Sequence, residues 1–360
     1  MRVACFFTGC SRFGGAERRI GRIMNGVAAH GIEVVFVLIL SEPLEKVKAA
    51  YVKAIGEDTP IRFEGFHTVR EIFEYMRKEC FDVAFYIGAY RKMLPFFVGA
   101  KLSGSRTVLL QVSTGPSVGK FGSFFEKAEF ALVASNSNHI DCLYPSTTSY
   151  FTKKYKRQIV STTPCPATDL KRFVPQKKEK LIAFISRWVK GKNTELLVES
   201  VLKIEEELFQ SGYRVYLCGS SDDGSVEKRV TAMIEQAKHP EVISMPGYVN
   251  AEDILPKAEI FMSLQDINNY PSQSLLEAIA CGCYIVASDE GDTRLLVKPA
   301  FGSCCMLDAG TIAQEILRFI KKPSSEKSEI ISAAREFAES HFDIQASVQH
   351  YIDMVYNSDR

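Results

Sequence analysis

The chain has 360 residues, 46% of them apolar, and carries 44 Lys and Arg against 43 Asp and Glu, a net charge of +1. That length exceeds one ordinary core and fits two domains of α/β size. Near-neutrality excludes a global field that recruits nucleic acid, so any anion-binding site has to be local.

The first apolar run, "RVACFF" at residues 2–7, flows into a Gly-rich turn instead of a small-residue cleavage site, so it reads as a strand and not as a signal peptide. Behind the turn, Ile20, Ile23, Met24 and Val27 recur at helical spacing before Gly31. "EVVFVLIL", "DVAFYIGA", "TVLLQV" and "FALVAS" follow and read as further strands of a βα series. The series breaks at "DLKRFVPQKKEK", residues 169–180, where Pro175 and five basic residues suggest a linker.

Beyond the linker, "KLIAFIS", "RVYLCGS", "EVISMPG", "EIFMSL" and "CYIVAS" read as strands. After the first of these, Asn193 or Thr194 caps a helix carrying Leu197, Val201, Ile204 and Leu208 before Gly212. The tail from about residue 331 is amphipathic and helical. The expectation is α/β, with two Rossmann-like domains facing each other across a cleft: the first at 1–168, the second at 181–338, and a helix at 339–360 crossing back to the first.

No run approaches the ~20 apolar residues of a membrane span. Ten cysteines, none in Cys-x-x-Cys spacing, read as reduced buried thiols of a cytoplasmic protein. Six histidines are scattered without ligand spacing. "AYRKMLPFFVGAK" and "YFTKKYKRQ" interleave Arg and Lys with aromatics. A core-packed helix with a solvated edge explains them, and peripheral contact with the inner face of the cell membrane is the alternative.

Four local features could carry chemistry, each with a plainer reading beside it. Gly14 and Gly15 stand between a strand and a helix, where a backbone can approach a phosphate, though such turns often only turn. Arg187 and Lys192 in "SRWVKGKN" follow a strand and can neutralise a diphosphate, or be solvated surface charges. The strand ends at Gly219 and at Gly247–Tyr248 form loops that could hold a nucleobase through backbone groups. "NYPSQSLLEA" places hydroxyls at a helix start, where free amides and the dipole favour an anion, with Glu277 one turn in; "SDEGDTR" adds Gly291 at the same sheet edge.

In their order, "GGAERR", "ISRWVKGKN", "GYV" and "NYPSQSLLEAIACGCYIVASDEGDTR" resemble the landmarks of retaining family 4 glycosyltransferases of the GT-B fold (glycosyl transferases group 1). The resemblance implies that Arg187 and Lys192 contact the donor diphosphate, Glu277 the ribose, Ser274 and Leu275 the phosphates with Ser272 and Gln273 nearby, and Gly15 a donor phosphate. It implies a hexosyl donor of UDP or GDP type, a saccharide or lipid-linked acceptor in cell-surface glycan biosynthesis, and no cofactor or metal. Two departures stand out. The family's second glutamate falls here on Asn269 or Asn268, and its first-half histidine has no match beside Gln111, Ser113 and Thr114. Asn hydrogen-bonds sugar hydroxyls but carries no charge to stabilise a developing cation. The rival reading is therefore a non-catalytic GT-B protein that binds a sugar nucleotide or partners an active transferase. A nicotinamide dehydrogenase shares the fold class but lacks the dinucleotide fingerprint.

Overall fold

Continuous apolar runs set the first sheet: β2 (Glu33–Leu40) buries five successive side chains, as a parallel strand covered on both faces must. The computed structural model describes every residue except 10–14, 57, 89–90, 113–122, 164–167, 222, 269 and 357–360, and of Gly15 and Ala16 the backbone alone. The chain divides into two units, Met1–Cys165 with Ile344–Arg360, and Pro166–Asp343.

In the first unit, β1 (Arg2–Gly9), β2, β3 (Arg62–Phe66), β4 (Val83–Ile87), β5 (Arg106–Gln111), β6 (His139–Cys142) and β7 (Ile159–Thr162) form a parallel sheet ordered β3-β2-β1-β4-β5-β6-β7. Helices α1 (Gly15–Ala29), α2 (Leu44–Ile55), α3 (Val69–Lys78), α4 (Leu94–Leu102), α5 (Phe124–Asn136) and α6 (Pro145–Lys154) connect the strands. One face packs α1 and α2 over Phe7, Phe36 and Phe85; the other packs α3 to α6 over Phe6, Tyr86 and Leu109. "FALVAS", expected as a strand, is the middle of α5. Ser123 and Glu126 form a capping box seven residues ahead of Phe130, and Phe130, Val133 and Ala134 then fall on one helical face.

The second sheet, also parallel, is ordered β10-β9-β8-β11-β12-β13, from β8 (Glu179–Ile185), β9 (Arg214–Cys218), β10 (Ile243–Gly247), β11 (Ala258–Ser263), β12 (Tyr284–Ser288) and β13 (Gly302–Cys305). Its helices are α7 (Thr194–Leu202), α8 (Glu205–Ser211), α9 (Ser225–Glu235), α10 (Gln273–Ala280), α11 (Ala309–Ile320) and α12 (Ser324–His341), with a single turn at Ala251–Ile254. The helix expected from Thr194 to Gly212 is two, α7 and α8. Ile204 leaves helical geometry at φ −129° and ψ 20°, and Glu205, Glu206 and Glu207 then give a fresh first turn the acidic residues its dipole favours.

Residues 169–180 lie within the second unit. Phe173 is buried, and Arg335 of α12 donates to the Leu170 and Phe173 carbonyls at 3.1 and 2.6 Å. The tail is likewise two helices: α12 ends at His341, and α13 (Ile344–Tyr356) belongs to the first unit. There α13 packs on α1, where a Cβ on Gly26 would sit 2.4 Å from Val348. Arg106 holds the end of α13 through the Met354 and Val355 carbonyls at 2.9 and 2.6 Å. The described cysteines are all free, and all but Cys80 and Cys304 are buried. No helix among the described residues is long and apolar enough to cross a membrane.

Candidate functional site

In a doubly wound sheet the crevice at the carboxyl ends of the strands opens where the strand order reverses, which in the second unit is between β8 and β11. The chain leaves β8 through Ser186, Arg187 and the buried Trp188, whose amide donates to the Ser220 carbonyl at 2.9 Å. A tight turn follows. Gly191, at φ 88°, has no room for a side chain, because a Cβ would meet Asp266 Oδ1 at 2.7 Å. Asp266 also donates its amide to the Gly191 carbonyl, and Asn193, left-handed at φ 55°, starts α7 and reaches the Leu264 carbonyl. The β8 and β11 loops are thereby locked together.

This lock leaves two cations at the edge. Arg187 is exposed and Lys192 half-buried, and neither side chain makes a hydrogen bond or an ion pair among the described residues. Burial lowers the Lys192 ammonium to a pKa of about 8; the Arg187 charge adds to the effect, and Asp266 opposes it. Two cations side by side at an open edge favour a dianionic partner.

The loop after β11 is stitched to the loop after β12. Asn268 Nδ2 donates to Asp292 Oδ2 at 3.0 Å, while Asn268 Oδ1 accepts from the Asp292 amide at 3.3 Å and the Tyr270 amide at 3.2 Å. Gly291, at φ 54°, lies directly against this side chain; a Cβ there would approach Asn268 Cγ to 2.1 Å. The sequence offered Asn268 as a possible sugar contact, but its Nδ2 and its Oδ1 both bond the scaffold. Gln265 adds a second stitch from its amide to Ser288 Oγ at 2.9 Å.

Past the cis Tyr270–Pro271 peptide, Ser272 precedes α10 in extended geometry, yet its side chain caps none of the first amides. Its Oγ lies 3.3 Å from Ser274 Oγ instead. The α10 start thus keeps its positive end uncapped. Leu275 is buried, anchoring the first turn, and Glu277 is also buried, one turn in.

The neighbouring strands end in backbone-only approaches. Gly219, at φ 135°, donates to the Gly247 carbonyl at 2.8 Å, and a Cβ on it would lie 1.8 Å from the Ser186 carbonyl. Tyr248, after Gly247, is 84% exposed. A cavity of about 720 Å³ beside this edge is lined by Trp188, Lys190, Thr194, Ser221, Arg229 and Asp266, among others, and includes none of the sequence-predicted residues.

The structure therefore places Arg187, Lys192, Gly219, Tyr248, Ser272, Ser274, Leu275 and Glu277 on loops and a helix start along one sheet edge of the second unit. Gly15 opens α1 of the first unit; Gly14 and Asn269 lie outside the described residues. Sequence reasoning missed Asp266 and the Asn268–Asp292 stitch. Their signal was indirect, in Gly191 and Gly291, the residues that let the loops touch.

The model of the glycosyl transferases group 1 family matches residues 167–337. WcaL of Escherichia coli (strain K12), a protein whose name provisionally assigns it as a colanic acid biosynthesis glycosyltransferase, is 24% identical over 175 residues. That alignment covers 46% of this chain and 42% of WcaL. In fold, the chain is similar over 99% of both chains to HepE of Anabaena, solved in complex with UDP and glucose, at 12% identity and a TM-score of 0.79. It is also similar, over 98% of both chains, to sucrose-phosphate synthase of Thermosynechococcus elongatus, at 17% identity and a TM-score of 0.76. The fold of two Rossmann-like units is that of the GT-B glycosyltransferases.

Proposed function

We propose, from the match of residues 167–337 to the model of the glycosyl transferases group 1 family, that the chain moves a hexosyl unit from a nucleoside-diphosphate sugar to a saccharide or lipid-linked acceptor, with retention of anomeric configuration. The observation that carries the reading is the pair Arg187 and Lys192, unpaired at the switch point of a sheet whose next loops end in the uncapped start of α10. HepE, bound to UDP and glucose, supports a UDP-type donor, and the relative named for colanic acid biosynthesis supports a saccharide acceptor.

The chemistry asks for charge at two places. As the bond from the anomeric carbon to the phosphate oxygen breaks, negative charge grows on the diphosphate. Arg187, Lys192 and the α10 amides lie ready to neutralise it without reorganising. The acceptor hydroxyl forms the new bond as its proton passes to the departing phosphate, so no separate base is needed, and the protein's own cations do the work a divalent ion does elsewhere. Glu277 holds the ribose.

One observation favours a second reading, binding without transfer: Asn268 is committed to Asp292 and the position beside it is also Asn. A thermal-shift panel of UDP, GDP, ADP and their sugar conjugates, followed by a donor-hydrolysis assay, separates the two. Stabilisation by one nucleotide, lost in Arg187→Ala, supports the site. Turnover supports transfer, and stabilisation without turnover moves the protein to the second reading. No stabilisation by any of them rejects both.

A further inference from the structure

The sheet of the second unit ends at β13, and a cavity of about 900 Å³ opens along that end. In the β12–β13 ladder the Ile285 amide donates to the Phe301 carbonyl at 2.9 Å and the Asp289 amide to the Cys305 carbonyl at 3.0 Å. Alternate residues thus face β12, and Gly302 and Cys304 turn amide and carbonyl away from it. Both line the cavity, so one wall of it is an open sheet edge. The floor is apolar: Tyr284, Val297 and Ile330 line it and are otherwise buried.

The rim is cationic. Arg294 belongs to the turn Thr293–Leu295 and Lys298 follows it; Arg318 lies in the last turn of α11, with Lys322 just beyond. The acids of the lining are Glu326 and Glu329 of α12. Three of the four cations are matched: Arg294 by Asp289 at 2.5 Å, Arg318 by Glu315 at 3.0 Å and Lys322 by Glu326 at 2.7 Å. Lys298 is not. Its ammonium donates to the Arg294 carbonyl at 3.4 Å and lies 5.5 Å from the centre of the Phe337 ring, with no acidic partner among the described residues. Cys304 feels these charges. Burial pushes its thiol up to about 11, Arg294 and Lys298 act against the rise, and Asp289 acts with it. Cations that only guarded an open edge would need no apolar floor beneath them.

We propose that this groove is a second ligand site, for a small organic phosphate whose phosphate group rests on Lys298 and Arg294 and whose apolar body lies on Tyr284, Val297 and Ile330. The volume falls in the range of roughly 300–1,000 Å³ that such ligands occupy. The outward amide of Cys304 offers a further donor to a phosphate oxygen, and a dianion suits two neighbouring cations better than one carboxylate does. None of the lining residues is among those assigned to the donor, so the inference goes beyond glycosyl transfer and does not rest on it.

The test uses Cys304 as a local probe. The full chain is alkylated with N-ethylmaleimide in mildly alkaline buffer, with or without millimolar phenyl phosphate, and modification is read by peptide mass spectrometry, with the exposed Cys80 of the first unit as internal control. Phenyl phosphate should slow reaction at Cys304 at least ~5-fold and leave Cys80 unchanged; inorganic phosphate should need ~10-fold more to match it, because it lacks the apolar body. Phenol should not protect. Lys298→Gln should weaken protection ~10-fold or more with an unchanged melting curve, the worth of a charged hydrogen bond, and Arg187→Ala should keep it. If Cys304 reacts too slowly to follow, calorimetric titration with phenyl phosphate reads the same site as a binding event lost in Lys298→Gln and kept in Arg187→Ala. Equal alkylation with and without phenyl phosphate, or no such binding event, overturns the proposal. So does protection by phenol alone, equal protection by inorganic phosphate, or protection that survives Lys298→Gln but fails in Arg187→Ala, which would place the phosphate at the donor edge.

Discussion

The two units share a parallel-sheet plan but place their polar side chains differently. In the second, they stitch loops at the carboxyl edge of the sheet: Asn268 to Asp292, Gln265 to Ser288, Asn193 to the Leu264 carbonyl. In the first, a buried network fastens a helix that returns from the far end of the chain. Asp141 accepts from Ser161, Thr163 and His350 at 2.6, 2.8 and 2.9 Å, and His139 Nε2 lies 2.7 Å from Ser161 Oγ. Loops tied to one another by hydrogen bonds hold the side chains they carry in place; a latched helix completes a core. The lesson is that one architecture divides its labour, and the family match over residues 167–337 falls on the unit whose loops are fixed.

The sharpest way to break this comparison is at the cations. Arg187→Ala should cut kcat/KM by about 10²- to 10³-fold, in line with removing one electrostatic donor from a transition state. Because Arg187 is exposed and unpaired, the urea midpoint should not move. A stability loss of the same size as the activity loss would mean that the residue is structural.

The stitch should behave the opposite way. Asn268→Glu discards three hydrogen bonds and sets a second carboxylate beside the buried Asp292, which should cost about 3 kcal/mol, read from urea denaturation. If the variant instead keeps full stability and gains turnover, Asn268 faces the sugar after all.

In the first unit, His350→Ala should cost about 2 kcal/mol and speed amide exchange along α13, since the buried Asp141 loses a hydrogen-bond partner. Burial by itself pushes the Asp141 carboxyl up, but His350, Ser161 and Thr163 together hold it below the ordinary carboxylate value. A depressed carboxyl contributes stability above its unfolded value and loses it as pH falls through the folded one. The parent should therefore hold this contribution into more acidic solution than the variant, whose acid unfolding limb moves to higher pH.

Legibility followed periodicity and touch. The long runs of β1, β2, β8 and β12 and the helix of Ile20 to Val27 were readable because burial on both faces, or on one helical face, leaves a regular pattern. β3, β6 and β7 were missed because "RFEGF", "HIDC" and "IVST" are four or five residues long and mix polar side chains into a sheet edge. The Asp141 network was hidden for a related reason: its members stand up to 209 positions apart, and no histidine had ligand spacing. At the candidate site, glycines and cations were visible as types. The neighbour each one touches was not: that Gly191 makes room for Asp266, or that Gly291 makes room for Asn268, depends on how the crossovers bring two loops together.

The smallest expected effect is also the most specific. Lys192 has a pKa lowered to about 8, first by burial and then by Arg187. A lysine depressed in the folded state binds fewer protons there than when unfolded, so the ligand-free protein should gain stability as pH rises from about 8 toward the ordinary lysine value. Donor affinity should move the other way. A diphosphate needs the ammonium, and above pH 8 binding must first restore the proton, so Kd should rise by up to about tenfold per pH unit. Calorimetric titrations of the nucleotide from pH 7 to 9.5, beside urea curves without it, would record the opposed slopes. Lys192→Arg keeps its charge throughout that range and should flatten both. Parallel slopes, or a parent and variant with the same profile, would place Lys192 away from the diphosphate and leave Arg187 and the α10 amides to bind it.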